Sequence, residues 1–239
     1  MIDFHSHILP DVDDGPDTVQ DSLIMLQEAF RQGVDTFVST SHFYSDEECP
    51  EEFLKRRDFA ARELKQAMFY SPMVYPKVVL GAEVLYFPGI SEADGIDLLR
   101  IENSRCILIE PPMAPWSEDM LDDIQQLRYN FDLIPIIAHV DRYMMMLRDD
   151  SLMNRVLQRK MLVQVNGSYF LNPKTKKAAF GDLKAGKIHV IGSDCHNMDS
   201  RPPNLPLVRR LARENWMEAE FQKLHRNAAV LLMDRRVQK

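Results

Sequence analysis

The chain has 239 residues, 45% hydrophobic and 27% charged, with a formal net charge of −7 from 29 Lys+Arg against 36 Asp+Glu. No stretch approaches 18 consecutive apolar residues, which excludes a membrane-spanning helix. The acidic balance disfavours a nucleic-acid partner, because tight phosphate-backbone binding needs a basic face. Cys49, Cys106 and Cys195 are odd in number and far apart. That spacing argues against a disulfide framework and predicts a reducing, cytoplasmic setting. The opening Met1-Ile2-Asp3-Phe4-His5 has no basic segment before an apolar run, so it does not read as a secretory signal.

From the N-terminus, Ile2–His5 is the first short apolar run. Thr18 to Gln32 then carries Val19, Leu23, Leu26 and Phe30 on one helical face, with Gly33 as a stop. Thr36–Thr40 is the second strand, and the segment after Pro50 reads as helix through Phe53, Leu54, Ala61, Leu64 and Met68. Val78–Ala82 and Cys106–Ile109 follow as strands, and Ser117 caps a helix presenting Met120, Leu121, Ile124 and Leu127. Ile134–Ala138, Leu162–Val165 and Ile188–Gly192 complete seven strands alternating with helices. That alternation predicts a parallel sheet with right-handed crossovers.

Polar residues fall at the carboxyl ends of these strands. His5 and His7 end the first, Ser41-His42 follows the second, Glu83 the third, Glu110 the fourth and His139 the fifth. Asn166 follows the sixth, while Asp194 and His196 follow the seventh. In an open sheet the outer strands lie too far apart to share a site. In a closed barrel all these ends meet at one mouth, where barrels hold their chemistry. The fold expected is therefore α/β, a seven-stranded relative of the TIM barrel in a single domain.

Residues i and i+2 of an extended strand point the same way, so His5 and His7 can reach one ion. Asp194 and His196 repeat that spacing at the last strand. Two packed strand-end histidines would explain one such pair, but two pairs on neighbouring strands favour a metal. Glu83 and Glu110 follow apolar strands, where an unpaired carboxylate is costly to bury. Each could instead pair with an arginine. Nitrogen and oxygen donors without thiolate suit Mn²⁺, Fe²⁺ or Zn²⁺, and the surplus of donors implies two or three ions clamping a phosphoryl group. Arg142, three residues past His139, and Arg201, five past His196, are expected at the same mouth, gripping phosphate oxygens bidentately. His189 is expected in the core and His225 on a solvated face.

A competing pattern is Cys195 to Arg201, the Cys-x5-Arg spacing of thiolate phosphatases. The loop holds no glycine, carries Asp199 and runs into Pro202-Pro203, where a phosphate loop wants free helix N-terminal amides. Cys195 also alternates out of phase with Asp194 and His196. The match is read as accidental.

The stretches Met1–Pro16, Val38–His42, Gly81–Glu83, Leu108–Glu110, Ile137–Arg142, Gln164–Asn166 and Val190–Pro203 resemble the polymerase and histidinol phosphatase (PHP) superfamily. Within it they are similar to the bacterial protein-tyrosine phosphatases that accompany capsule and exopolysaccharide tyrosine kinases. The resemblance covers the whole chain. It implies a distorted (β/α)7 barrel and a trinuclear site usually served by manganese. It also implies ligand sets of His5, His7, Glu83 and Asp194; Glu83, Glu110 and His139; and Asp14, His42 and His196. Spacing alone does not choose Asp14 over Asp11 or Asp13. The implied reaction is hydrolysis of phosphotyrosine in a kinase tail by a metal-bridging hydroxide, with Arg142 and Arg201 on the non-bridging oxygens. A small-molecule phosphatase such as histidinol-phosphate phosphatase is the alternative, followed by a PHP-type exonuclease and a metal-free scaffold. The loops Phe43–Pro50 and Phe87–Asp97 match no motif and are expected to bear on substrate fit.

Overall fold

In the computed structural model, which describes residues 1–234, the first strand β1 (Ile2–Ser6) pairs in parallel with β2 (Thr36–Ser39), Ile2 opposite Thr36. Helix α1 (Val19–Arg31) links them. Thr18 caps it by accepting the Asp21 N–H at its hydroxyl, and Gly33 ends it with φ +90°. Its fully buried face is Ser22, Met25, Leu26 and Ala29. Of the four positions expected, only Leu26 is fully buried. Val19, Leu23 and Phe30 are half-buried, with Val19 and Leu23 packed at the margin of the main apolar core.

The second and third strands of the barrel are each broken in two, a difference from the uninterrupted runs expected. After β2 the chain steps over Thr40 and Ser41 into β3 (His42–Phe43). Helix α2 (Pro50–Tyr70) then leads to β4 (Lys77–Leu80), and a second step over Gly81 and Ala82 leads to β5 (Glu83–Leu85). The steps are matched: Thr40 N–H donates to Ser6 O, Gly81 N–H to Ser39 O and Glu83 N–H to Ser41 O, at 2.8, 2.8 and 3.0 Å. A Cβ at Gly81 would lie 3.0 Å from Ile101 Cγ1, so the smallest residue sits where the break is tightest. His42 and Glu83 consequently begin strands, opposite each other in register, and do not trail behind them.

From β5 the sheet continues through β6 (Cys106–Glu110), β7 (Ile134–Ile137), β8 (Leu162–Asn166) and β9 (Val190–Gly192), all parallel. Helix α3 (Glu118–Phe131) is capped by Ser117 and buries Met120, Leu121, Ile124 and Leu127, the four residues expected. After β7 come α4 (Val140–Leu147) and α5 (Leu152–Gln158). After β8 come α6 (Gly167–Leu171) and α7 (Lys176–Lys184), and α8 (Leu205–Glu214) and α9 (Glu218–Leu231) end the described chain. The ring closes between the last strand and the first: Asp194 N–H donates to His5 O at 2.8 Å and His7 N–H to Cys195 O at 2.9 Å. Phe4, Val38, Val79, Leu108, Ile136 and Val190, from six different strands, pack into one small cluster. Only an enclosed interior brings six strands to one point. A larger apolar layer joins the strands to the surrounding helices.

Two histidines depart from expectation. His225 is buried, not solvated, because α9 presses it against the start of β1, where its Nδ1 lies 3.1 Å from Ile2 N. His189 is half-buried beside β8, its Nδ1 accepting the Val163 N–H at 3.1 Å. Among the described residues, no helix is long and apolar enough to cross a membrane.

Candidate metal centre

The pairing register of β1 with β2 shifts between Asp3 and Ser6, an irregularity of the kind that re-aims side chains. His5, within that shift, and His7, just after it, turn toward the mouth, their Nε2 atoms 3.2 Å apart. Glu83 is the hub. Its Oε2 lies 3.0 Å from His5 Nε2, 3.2 Å from His7 Nε2 and 3.4 Å from His42 Nδ1, and its Oε1 lies 2.8 Å from His139 Nε2. Glu110, at the end of β6, adds an oxygen 3.4 Å from His139 Nε2 and another 3.8 Å from His42 Nδ1. Asp194 Oδ1 stands 3.7 Å from His5 Nε2 and 3.6 Å from His7 Nε2. Asp14 Oδ1 stands 3.0 Å from His196 Nε2 and 3.6 Å from His42 Nε2.

The structure thus gathers all nine residues singled out as metal ligands. Three overlapping sets have donor atoms within 4.8 Å of one another: His7, Asp14, His42 and His196; His5, His7 and Glu83; and His42, Glu83 and Glu110. The sets differ from those implied by resemblance in that His7 and His42 are shared and that His139 and Asp194 fall in none of the three, standing beside them at 2.8 Å from Glu83 Oε1 and 3.6 Å from His7 Nε2. A multinuclear arrangement fits these donors. His42 Nδ1 and His196 Nε2 are buried and make no hydrogen bond, although carboxylate oxygens lie close by. Buried imidazole nitrogens without partners are costly, and a shared divalent cation is the group that nitrogen and carboxylate donors would satisfy together.

Backbone geometry holds the cluster. His139 and Asp194 both adopt left-handed conformations, with φ of 29° and 55°. Such strain in non-glycine residues costs about 1–2 kcal/mol each and gathers at functional sites. Gly192 lets β9 lie against β1, because a Cβ there would sit 2.4 Å from His5 Cβ.

Electrostatics divide the imidazoles. Burial works against a charge on His7, but its contacts to Asp13 and Glu83 outweigh it and raise its pKa to about 10. His139 is raised to about 9 against the same burial by Glu110 and Glu83. His196 is depressed to about 4 by burial and then by charge on His7 and Arg201. Burial also lowers His42. Glu83 falls well below the carboxylate range although burial opposes it, because His5 and the contacts to His139 and His7 favour its anion.

Three contributors were not assigned from sequence. Asp13 accepts His7 Nδ1–H at 2.7 Å and the His42 N–H at 3.0 Å. Gln164 Oε1 lies 3.3 Å from His5 Nδ1 and accepts the His139 N–H, while its amide donates to Asn166 Oδ1, and Asn166 donates to Asp194 Oδ2. Asn197 Oδ1 accepts the N–H groups of Asp199, Ser200 and Arg201 at 3.0, 2.8 and 3.1 Å. The only sequence signal for Gln164 was its place in a matched stretch ending a strand.

Both arginines reach the mouth. Arg142, in the first turn of α4, pairs with Asp194 Oδ2, and Arg201 Nη2 donates to Asp194 Oδ1 at 2.8 Å. The Cys195 thiol is fully buried, and burial pushes its pKa well above the usual thiol value. Asn197 occupies the loop amides that a thiolate phosphatase would turn toward phosphate. The Cys-x5-Arg match is indeed accidental as geometry.

A sequence profile of the capsular polysaccharide synthesis family CpsB/CapC matches residues 1–233. The tyrosine-protein phosphatase CpsB of Streptococcus pneumoniae is 32% identical over 85% of this chain and 86% of its own length. The tyrosine-protein phosphatase YwqE of Bacillus subtilis is 30% identical over 84% of this chain and 79% of its own. In solved structures, the fold superposes on that of the YwqE and CpsB metal-dependent tyrosine phosphatases with a TM-score of 0.83, at 24% identity, over 99% of this chain and 96% of the other. A phosphotriesterase homology protein from Escherichia coli shares the fold more distantly, with a TM-score of 0.55 at 10% identity over 97% and 98% of the two chains. The chain belongs to the CpsB/CapC capsular polysaccharide synthesis family.

Proposed function

We infer that this chain is a metal-dependent protein-tyrosine phosphatase. The observation that carries the reading is the convergence of four imidazoles on Glu83 beneath two guanidinium groups that meet at Asp194. Divalent ions bound there supply an activated water and offset phosphoryl charge. His5, His7, Glu83 and Asp194 would hold one ion, Glu83, Glu110 and His139 a second, and Asp14, His42 and His196 a third. The nitrogen and oxygen donors favour Mn²⁺, with Fe²⁺ and Zn²⁺ as competitors. Gln164 and Asp13 orient His5 and His7, so each presents Nε2 inward. Arg142 and Arg201, now on Asp194, turn their forks to the non-bridging oxygens of an incoming phosphoryl group. The buried Cys195 takes no part.

The substrate favoured is phosphotyrosine in the polar tail of a bacterial tyrosine kinase that controls capsule synthesis. The family's place in capsular polysaccharide synthesis supports that partner, and the net charge of −7 disfavours polynucleotide. All three cysteines are free thiols, which a reducing cytoplasm preserves. The match over residues 1–233 supports one phosphatase domain for residues 1–239, of which 235–239 lie outside the described residues.

The deciding experiment compares turnover of a phosphotyrosyl peptide, histidinol phosphate and single-stranded DNA after chelation and reloading with Mn²⁺. Metal-restored activity greatest on the peptide is expected. A large preference for histidinol phosphate overturns the substrate, and full activity of the chelated protein overturns the metal centre.

A further inference from the structure

Among the described residues two tyrosine rings lie against imidazoles of the metal cluster: Tyr143, beside His139, is buried with its hydroxyl on Pro111 O, whereas Tyr44, beside His42, is only half-buried. Its ring lies parallel to the His42 imidazole, centroids 5.4 Å apart and planes 18° apart. His42 in turn faces Glu83, Glu110 and Asp14. Tyr44 is half-buried yet joins neither apolar cluster, unlike Tyr75 and Tyr86, which pack against the main core. Its hydroxyl makes no hydrogen bond to the described residues, so neither core packing nor a polar anchor accounts for the ring's placement. The backbone on both sides is fixed. Phe43 is buried edge-on against Phe53 at 5.6 Å, and Tyr44 O accepts the N–H groups of Glu47 and Glu48 at 3.1 and 3.3 Å.

We propose that the Tyr44 ring is the wall against which the phenyl ring of the substrate stacks, so that this residue sets the preference for aromatic phosphate esters. The proposal rests on the phosphotyrosine reading. With phosphate held among the metal ligands and arginines, the ester oxygen points outward and its aryl group must pass along the mouth. A seryl or threonyl phosphate has no ring to place there. A fixed aromatic face in that position favours the aryl ester through offset or edge-on ring contact, worth roughly threefold to tenfold in affinity. The contact uses the ring and not the hydroxyl, so phenylalanine should serve as well. Tyr44 is in this sense a specificity residue and not a proton donor.

The test uses the full-length, Mn²⁺-loaded protein and two probes, phenylphosphonate and methylphosphonate, which share a headgroup and differ by the ring. Inhibition constants against a phosphotyrosyl peptide are measured for wild type, Tyr44→Ala and Tyr44→Phe, together with manganese content and direct binding by calorimetry. Tyr44→Ala should weaken phenylphosphonate by roughly threefold to tenfold and raise KM for the peptide similarly. Methylphosphonate binding and metal content should stay unchanged, and Tyr44→Phe should match wild type. The proposal is overturned if Tyr44→Ala leaves the phenyl-to-methyl ratio unchanged. It is also overturned if both probes weaken equally with loss of metal, which assigns Tyr44 to support of His42. A fall in kcat shared by Tyr44→Phe and Tyr44→Ala overturns it too, since the hydroxyl would then act as an acid. Wild type that binds both phosphonates but hydrolyses no phosphotyrosyl peptide defeats the substrate reading instead.

Discussion

Asp13 grips two ligand residues at once: one carboxylate oxygen takes the His7 ring N–H at 2.7 Å and the His42 backbone N–H at 3.0 Å. Its other oxygen accepts the Gly15 N–H at 3.0 Å. A carboxylate behind a ligating histidine fixes the tautomer and raises the basicity of the nitrogen that faces the ion. Asp13→Ala should therefore weaken Mn²⁺ binding by roughly 10–100-fold. Asp11→Asn, at an exposed position with φ 56°, should leave it unchanged. Metal titration of the two variants checks both, and equal affinities would return Asp13 to a purely structural role.

Metal loading should strengthen as pH rises. In the ion-free protein His7 keeps its proton up to about pH 10 and His139 up to about pH 9. Both nitrogens must be neutral to ligate, so an ion has to displace those protons. Below these values the proton competes, and the competition fades with increasing pH. Apparent Mn²⁺ affinity measured in matched buffers should rise from pH 6 to pH 8.5, with proton release on binding. Affinity that is flat or falls over this range contradicts the pairing of His7 with Asp13.

Much of this site was legible because barrel topology forces strand ends together, so polar residues at those ends could be read as neighbours. The nine candidate ligands and both arginines were reached that way or by resemblance. The supporting residues were not legible. Asp11, Asp13 and Asp14 look alike in sequence, and only the folded loop separates them: Asp13 lies under His7, Asp14 reaches His196, and Gly15 packs so closely that a Cβ would sit 2.9 Å from His7 O. Gln164 was hidden because a buried amide inside a strand has no periodic signature. The broken strands escaped for a similar reason: a two-residue step at Thr40-Ser41 keeps its hydrogen bonds and leaves the apolar pattern almost intact. The α1 stripe is legible as a face, since Val19, Leu23 and Leu26 all meet the main core, but periodicity does not say how deeply each position is covered.

Cys195→Ser should retain most of the hydrolytic rate. The thiol is fully buried and held in its protonated form by that burial, with its backbone N–H on Ser193 Oγ at 3.3 Å. A thiol so placed cannot reach phosphorus or ionise near neutral pH. Arg201→Ala should cost about 100-fold or more in kcat, the scale for losing a positioned charge-stabilising donor. Steady-state rates, with mass spectrometry for a trapped phosphocysteine, separate the mechanisms. A dead Cys195→Ser protein that still holds its metals would sink the metal-based reading.

His225 should make the fold acid-sensitive. Its ring is buried on α9, edge-on to Phe221 at 4.7 Å, with Nδ1 against the Ile2 backbone and Nε2 without a partner. Burial, followed by the nearby N-terminal amine, depresses its pKa to about 4. The contact with the Ile2 backbone and then Asp35 oppose that shift, and Arg209 adds to it. An unfolded histidine titrates near ~6.5. Between these values the unfolded chain takes up a proton that the folded chain refuses, so stability falls as pH drops from ~6.5 toward 4. His225→Asn keeps an acceptor for the Ile2 N–H but cannot charge. Between pH 7 and pH 4.5 the variant should lose less stability than wild type, by on the order of 2–3 kcal/mol. Urea melts at both pH values, with chelator present so that metal release contributes to neither protein, read the difference. Parallel loss in the two proteins would mean that His225 accepts its proton in the folded state and that the buried Nε2 has found water.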